Sequence, residues 1–178
     1  MARLPRWISR ALVGGVIPTL LAGALFFVRV PVLIVDDVRA DQAILTFQVR
    51  PGERFVLSYR HSVTQGLVFG TFAIEGDGSF LLKETAFASP GPGLPEPHPG
   101  EEYQISGGLI RHRPREARFP ELSVFVHPFT EHTLVVKGES VNISEKVAAG
   151  ALVKIRVEAQ SLGRWGLQKI GAVLSRAR

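Results

Sequence analysis

The chain has 178 residues, 46% of them hydrophobic and 21% charged, with no cysteine and a formal net charge of +5. The apolar content excludes a disordered tail, and the missing thiol excludes a disulfide scaffold, a thiolate metal cluster and a cysteine nucleophile. The charge does not make a nucleic-acid face: residues 1–29 and 160–178 each hold four basic residues and no acid, while residues 30–159 carry 13 Lys and Arg against 16 Asp and Glu.

Residues 11–28, ALVGGVIPTLLAGALFFV, contain no charge. As a helix they would run about 27 Å, close to a hydrocarbon core of about 30 Å. Pro18 would kink such a helix, which lipid-embedded helices tolerate. Arg3, Arg6 and Arg10 precede the run, and Trp7 stands where an interfacial aromatic belongs. The positive-inside rule keeps that end cytoplasmic and sends residues 30–178 across the membrane. The segment therefore reads as a single-pass anchor in the plasma (inner) membrane. The competing reading is a secretory signal cleaved near Ala22-Gly23-Ala24, but apolar character continues to Val28.

From residue 30 the period changes to two. Phe55, Leu57 and Tyr59 alternate with Arg54, Ser58 and Arg60, the pattern of a half-buried strand. Similar runs occur at Leu33–Val38, Ala43–Val49, Leu67–Glu75, Phe80–Phe87, Leu122–His127, Thr133–Val136, Ser140–Ile143 and Leu152–Glu158. Turn signals separate many of them, among them Pro51-Gly52, Gly76-Asp77-Gly78 and Lys137-Gly138. Residues 30–159 thus predict a mainly β domain, an antiparallel sandwich or open barrel. Two stretches interrupt it. Residues 89–100, SPGPGLPEPHPG, cannot be an inner strand, because Pro lacks a donor. Residues 107–120 read as a solvated loop or a polar edge. Residues 160–178 form a basic amphipathic tail, expected to be a short helix against the domain or on an anionic lipid surface.

The five histidines show no tight ligand spacing such as H-E-x-x-H, and no metal or other cofactor is expected. His127 and His132 bracket Pro128. His61-Ser62 invites a hydrolase reading, yet adjacent strand side chains point to opposite faces, and no G-x-S-x-G elbow exists. His61 continues the odd-numbered apolar face of Phe55, Leu57 and Tyr59. Glu84 continues that of Phe80 and Leu82. Two ionisable groups on apolar faces need partners, so the expectation is that they pair, or clamp the loop 89–100 through its carbonyls and amides. The alternative places Glu84 on an outer face. Gly91 and Gly93 permit unusual backbone angles and leave amides open to a carboxylate; alternatively they turn a corner while Leu94 plugs the core. Asn142-Ile143-Ser144 matches a glycosylation sequon but reads as strand.

Tyr59-Arg60-His61-Ser62-Val63, Glu84, and Gly91-Pro92-Gly93-Leu94-Pro95 together resemble a family catalogued as domain of unknown function 1850, as does the apolar approach Val30-Pro31-Val32-Leu33. The resemblance covers most of residues 30–158. It implies a membrane-linked protein often encoded beside tripartite periplasmic transporters, and carries binding roles to His61, Ser62, Glu84, Gly91, Gly93, Leu94 and Pro95. Two departures stand out. Gly70 occupies a position where many relatives carry an acid, and Pro90 and Pro92 flank Gly91 where small residues are more usual.

These readings converge on a non-enzymatic, membrane-anchored extracytoplasmic accessory or binding protein, associated through the resemblance with a tripartite organic-acid transporter. Its expected partners are membrane lipid, a transporter membrane subunit or substrate-binding protein, and a small molecule, with no nucleic acid. Two alternatives stand beside it: a hydrolase or metal-dependent enzyme using His61 with Glu84 or Ser62, and a structural envelope module.

Overall fold

The structure, a computed structural model, describes Gly23, residues 27–96 and residues 98–167. Most of the expected anchor, and residues 168–178 of the basic tail, lie outside the described residues. Among the described residues no helix is long and apolar enough to cross a membrane.

The described residues form twelve strands, in order β1 (Arg29–Asp37), β2 (Gln42–Gln48), β3 (Arg54–Arg60), β4 (Leu67–Ile74), β5 (Phe80–Phe87), β6 (Glu102–Ser106), β7 (Leu109–Arg113), β8 (Arg118–Phe119), β9 (Leu122–Val126), β10 (Thr133–Val136), β11 (Glu139–Asn142) and β12 (Ala151–Ser161). A four-stranded sheet has the order β2-β1-β12-β9. The larger sheet runs β11-β10-β3-β4-β5-β7-β6, with β8 paired to β5. The chain divides into two compact units. One is Leu33–Glu158; the other comprises Met1–Val32 and Ala159–Arg178. In the second unit Leu162 donates its N–H to the Val28 carbonyl at 2.8 Å, and residues 162–167 form a short helix.

Alternation explains the strands of the larger unit. In β12, Ala151, Val153 and Ile155 are buried, with Leu152, Lys154 and Arg156 between them less so. Burial of such a face is the main stabilising term, about 25 cal/mol per Å². Leu33 and Val35 of β1, Phe47 of β2, Phe55 and Leu57 of β3, Phe80 of β5, Leu134 of β10 and Val153 of β12 belong to one core cluster, so both sheets contribute their inner faces to it. Phe55 stacks on Phe72 and meets Phe80 edge-on. Phe72 also explains Gly70: a Cβ there would come within 2.8 Å of the Phe72 ring.

Residues 102–113 form an unexpected strand pair. β6 and β7 make an antiparallel hairpin, with Ser106 opposite Leu109. Its turn is Gly107-Gly108, both at positive φ (62° and 75°). That is the geometry a two-residue hairpin needs to match strand twist, and glycine reaches it without strain. The first half of the basic stretch expected as a loop or polar edge thus belongs to an edge hairpin, with Arg111 and Arg113 matched by Glu84 and Glu102.

Candidate functional site

The hairpin loop between β3 and β4 is His61–Gly66. His61 N–H donates to the Gly66 carbonyl at 2.8 Å, and Gln65, in the left-handed region, donates to the His61 carbonyl at 2.9 Å. This tight loop folds the His61 ring back over its own chain. Nδ1 accepts N–H bonds from Val63 and Thr64, each at 3.2 Å. Nδ1 is therefore the acceptor, which assigns the ring proton to Nε2. Nε2 donates it to the Pro92 carbonyl at 3.0 Å. The ring is buried and both nitrogens are spent on backbone.

Pro92 sits in the turn Gly91-Pro92-Gly93-Leu94, closed by the Leu94 N–H on the Gly91 carbonyl at 3.1 Å. Gly93 has φ +78°. Proline at the second position and a positive-φ glycine at the third are the residues a type II turn demands, so Pro92 suits the turn. Gly91 answers a different need: a Cβ there would lie 2.7 Å from Thr64 Cγ2. Leu94 is buried with Val68 and Phe87, flanked by Tyr59, Tyr103 and Ile110. Pro95, next along the loop, is half-buried.

Glu84 is not part of this arrangement. The β4–β5 register pairs Thr71 with Glu84 but Phe72 with Leu82, leaving Lys83 as the extra residue of a β-bulge. The bulge shifts the phase of β5 by one. Phe80 and Leu82 face the core before it and Phe87 after it, while Glu84 turns to the other face. There its carboxylate binds Arg111 and, at 3.1 Å, Arg113. The expected partnership of His61 with Glu84 therefore fails, because the period of two does not run unbroken through β5. The expected clamp on the loop 89–100 is made by His61 alone.

A partly open cleft of about 550 Å³ lies beside the clamp. Tyr59, His61, Ser62, Pro92 and Gly93 line one side, and Val124 to His127, Phe129, Thr130 and His132 line the other. The second wall was unsignalled except for the two histidines about Pro128. It is held by a 3₁₀ turn, Pro128–Thr130. Thr130 Oγ1 donates to the His127 carbonyl at 2.7 Å and accepts the His127 N–H at 3.1 Å. With its proton committed, Thr130 Oγ1 accepts from His132 Nδ1 at 2.8 Å. Nε2 of His132 is then a lone-pair acceptor with no hydrogen-bond partner among the described residues. Burial pushes the His132 pKa down to about 4, so the ring is neutral near pH 7. Tyr59 stacks on it, centroids 5.4 Å apart, and burial raises the Tyr59 pKa.

Ser62 is exposed on the rim, and its Oγ bonds no histidine among the described residues. Arg60, also on the lining, is held by Glu131 at 2.9 Å. Among the described residues no group of three or more His, Asp or Glu is arranged to hold a metal ion.

A family model described as "Domain of unknown function (DUF1850)" matches residues 55–143, half of the chain. The match starts in β3, ends just past β11 and takes in the His61 clamp together with Phe125, Phe129 and His132. No curated protein and no solved structure matches the chain.

Proposed function

The chain belongs to that family, and we propose that it is a non-enzymatic binding protein whose ligand seat is the cleft beside His61. One observation carries this reading: the histidine at the centre of the recurring motif has both ring nitrogens committed to backbone groups. A general base needs a free lone pair, and a metal ligand needs the same. His61 has neither to offer, so it supports a wall of the cleft. Among the described residues the neutral His132 Nε2 has no hydrogen-bond partner, and His132 lines the cleft together with Tyr59, Phe125 and Phe129. That lining suits a small molecule with an apolar body and one hydrogen-bond donor. The fold that presents it is an antiparallel sandwich of two sheets.

In the same proposal, residues 11–28 anchor the chain in the inner membrane and the β domain lies outside the cytoplasm, where it serves as an accessory to an organic-acid transporter. The uncharged run behind three arginines supports the placement. Protease protection of the carboxyl-terminal region tests it: digestion only after the outer face is exposed is expected, and digestion only from the cytosolic face overturns it.

The ligand seat is tested by NMR titration of the full chain in detergent with small hydroxy acids, amides and alcohols. Saturable shifts confined to the Gly93, Val124 and Val126 amides and the His132 ring are expected. Saturable shifts elsewhere in the domain overturn the assignment.

A further inference from the structure

We infer that β9 is a self-pairing edge through which two copies of this chain join their small sheets about a two-fold axis at Val124. β9 ends the order β2-β1-β12-β9, so its outer side has no strand. Which backbone groups lie there follows from the ladder. The Leu152 carbonyl accepts from Val38, on the far side of β12, and the Val126 carbonyl accepts from Gly150. Val153 and Ile155 therefore turn their polar groups to β9, Ala151 gives its N–H to the Ala148 carbonyl, and the register partners Val126, Val124 and Leu122 turn their polar groups to β12. The N–H and C=O groups of Ser123 and Phe125 point outward, unpaired among the described residues.

The end strands β6, β11 and β2 carry polar or charged residues that blunt such pairing, and β8 has only two residues. β6 sets Glu102 and Gln104 beside its exposed Ile105, β11 starts with Glu139, and β2 is bounded by Gln42 and Gln48. β9 reads LSVFV, with no charge and with Phe125 73% exposed.

The strand is also complementary to itself. Antiparallel pairing about Val124 sets the bulky Phe125 opposite the small Ser123 of the partner subunit. Those two pairs are the hydrogen-bonded ones, giving four bonds across the edge. The next charged residue, Glu121, falls opposite His127 of the partner subunit, so no like charges meet. Uncharged, exposed and sterically matched, this edge fits a second copy.

The chain lacks cysteine, so one introduced thiol can only cross-link between copies. At the axis, Val124 forms a non-hydrogen-bonded pair with Cα atoms about 4.5 Å apart, inside the disulfide range. In the detergent-solubilised full chain, V124C is expected to cross-link at least tenfold faster than F125C under mild oxidation, although Phe125 is far more exposed. Light scattering should give the mass of a dimer for the unsubstituted chain. It should give a monomer for S123P, which removes an outward N–H that β12 does not use, with circular dichroism unchanged. A monomeric unsubstituted chain, F125C outpacing V124C, or a complex with a different polypeptide on this edge overturns the self-pairing.

Discussion

The Nε2 of His61 lies 3.0 Å from the carbonyl oxygen of Pro92, 31 residues away, and this bond fastens the loop before β4 to the loop after β5. Because Nδ1 is simultaneously held by two amides, the ring is a rivet with no capacity left over. His61→Ala should cost about 2–4 kcal/mol, from lost hydrogen bonds and a buried cavity. His98 is exposed, and His98→Ala should leave urea unfolding unchanged. Equal midpoints for the two variants would refute the rivet.

The two glycines of the turn should fail for different reasons. Gly91→Ala drives a Cβ into Thr64 Cγ2, whereas the other neighbours, His61 Cε1 and Leu94 Cδ1, stand at 3.6 and 3.8 Å. Its cost, about 1–3 kcal/mol, should be largely recovered by adding Thr64→Ser, which removes that methyl group. Gly93→Ala meets nothing within 4 Å but keeps φ +78°, so about 1 kcal/mol of strain remains, and Thr64→Ser should not relieve it. A double-mutant cycle in chemical denaturation separates the two cases.

Glu84→Ala should cost less than about 1 kcal/mol, and less still in high salt, because its partners Arg111 and Arg113 have side chains 37% and 49% exposed. Thr85, its neighbour, is buried on the inner face. Thr85→Glu should therefore prevent folding, by placing a carboxylate where the bulge now keeps one out. Circular dichroism of both variants checks the phase of β5.

Acid should weaken the fold through His132. The unfolded chain binds a proton on this ring below about pH 6.5, while the folded chain refuses it until about pH 4. Between those values the unfolded state holds more protons, so stability falls as pH falls, by up to about 3 kcal/mol over the window. Replacing His132 with Phe should flatten that part of the profile while lowering its plateau, since Thr130 loses a partner. An unaltered slope between pH 6.5 and 4 would show that the ring is protonated in the folded chain.

Nine strands were legible because their side chains alternate and glycine or proline punctuates them. Each expected run coincides with an observed strand to within a few residues at its ends. The β6–β7 pair was less visible: its arginines and glutamates resemble a loop, and the usable signal was Gly107-Gly108, a two-residue hairpin turn. His61, Gly91 and Leu94 could be singled out in the sequence because each breaks a local pattern. A histidine on an apolar face, glycines among prolines and a lone leucine in a proline loop all ask for a partner.

What the sequence alone determined is what neighbouring residues dictate: strand positions, turn chemistry, and the uncharged amino-terminal run. Tertiary structure decided everything that depends on which strand lies beside which. One inserted residue, Lys83, sends Glu84 to the arginines and away from His61, because side-chain direction follows the count of residues from the last paired position. The second wall of the cleft, from Val124 to His132, meets a ring, that of His61, more than sixty residues away in the chain. No local pattern encodes such a meeting, since burial on a shared core, and not sequence spacing, brings the two together.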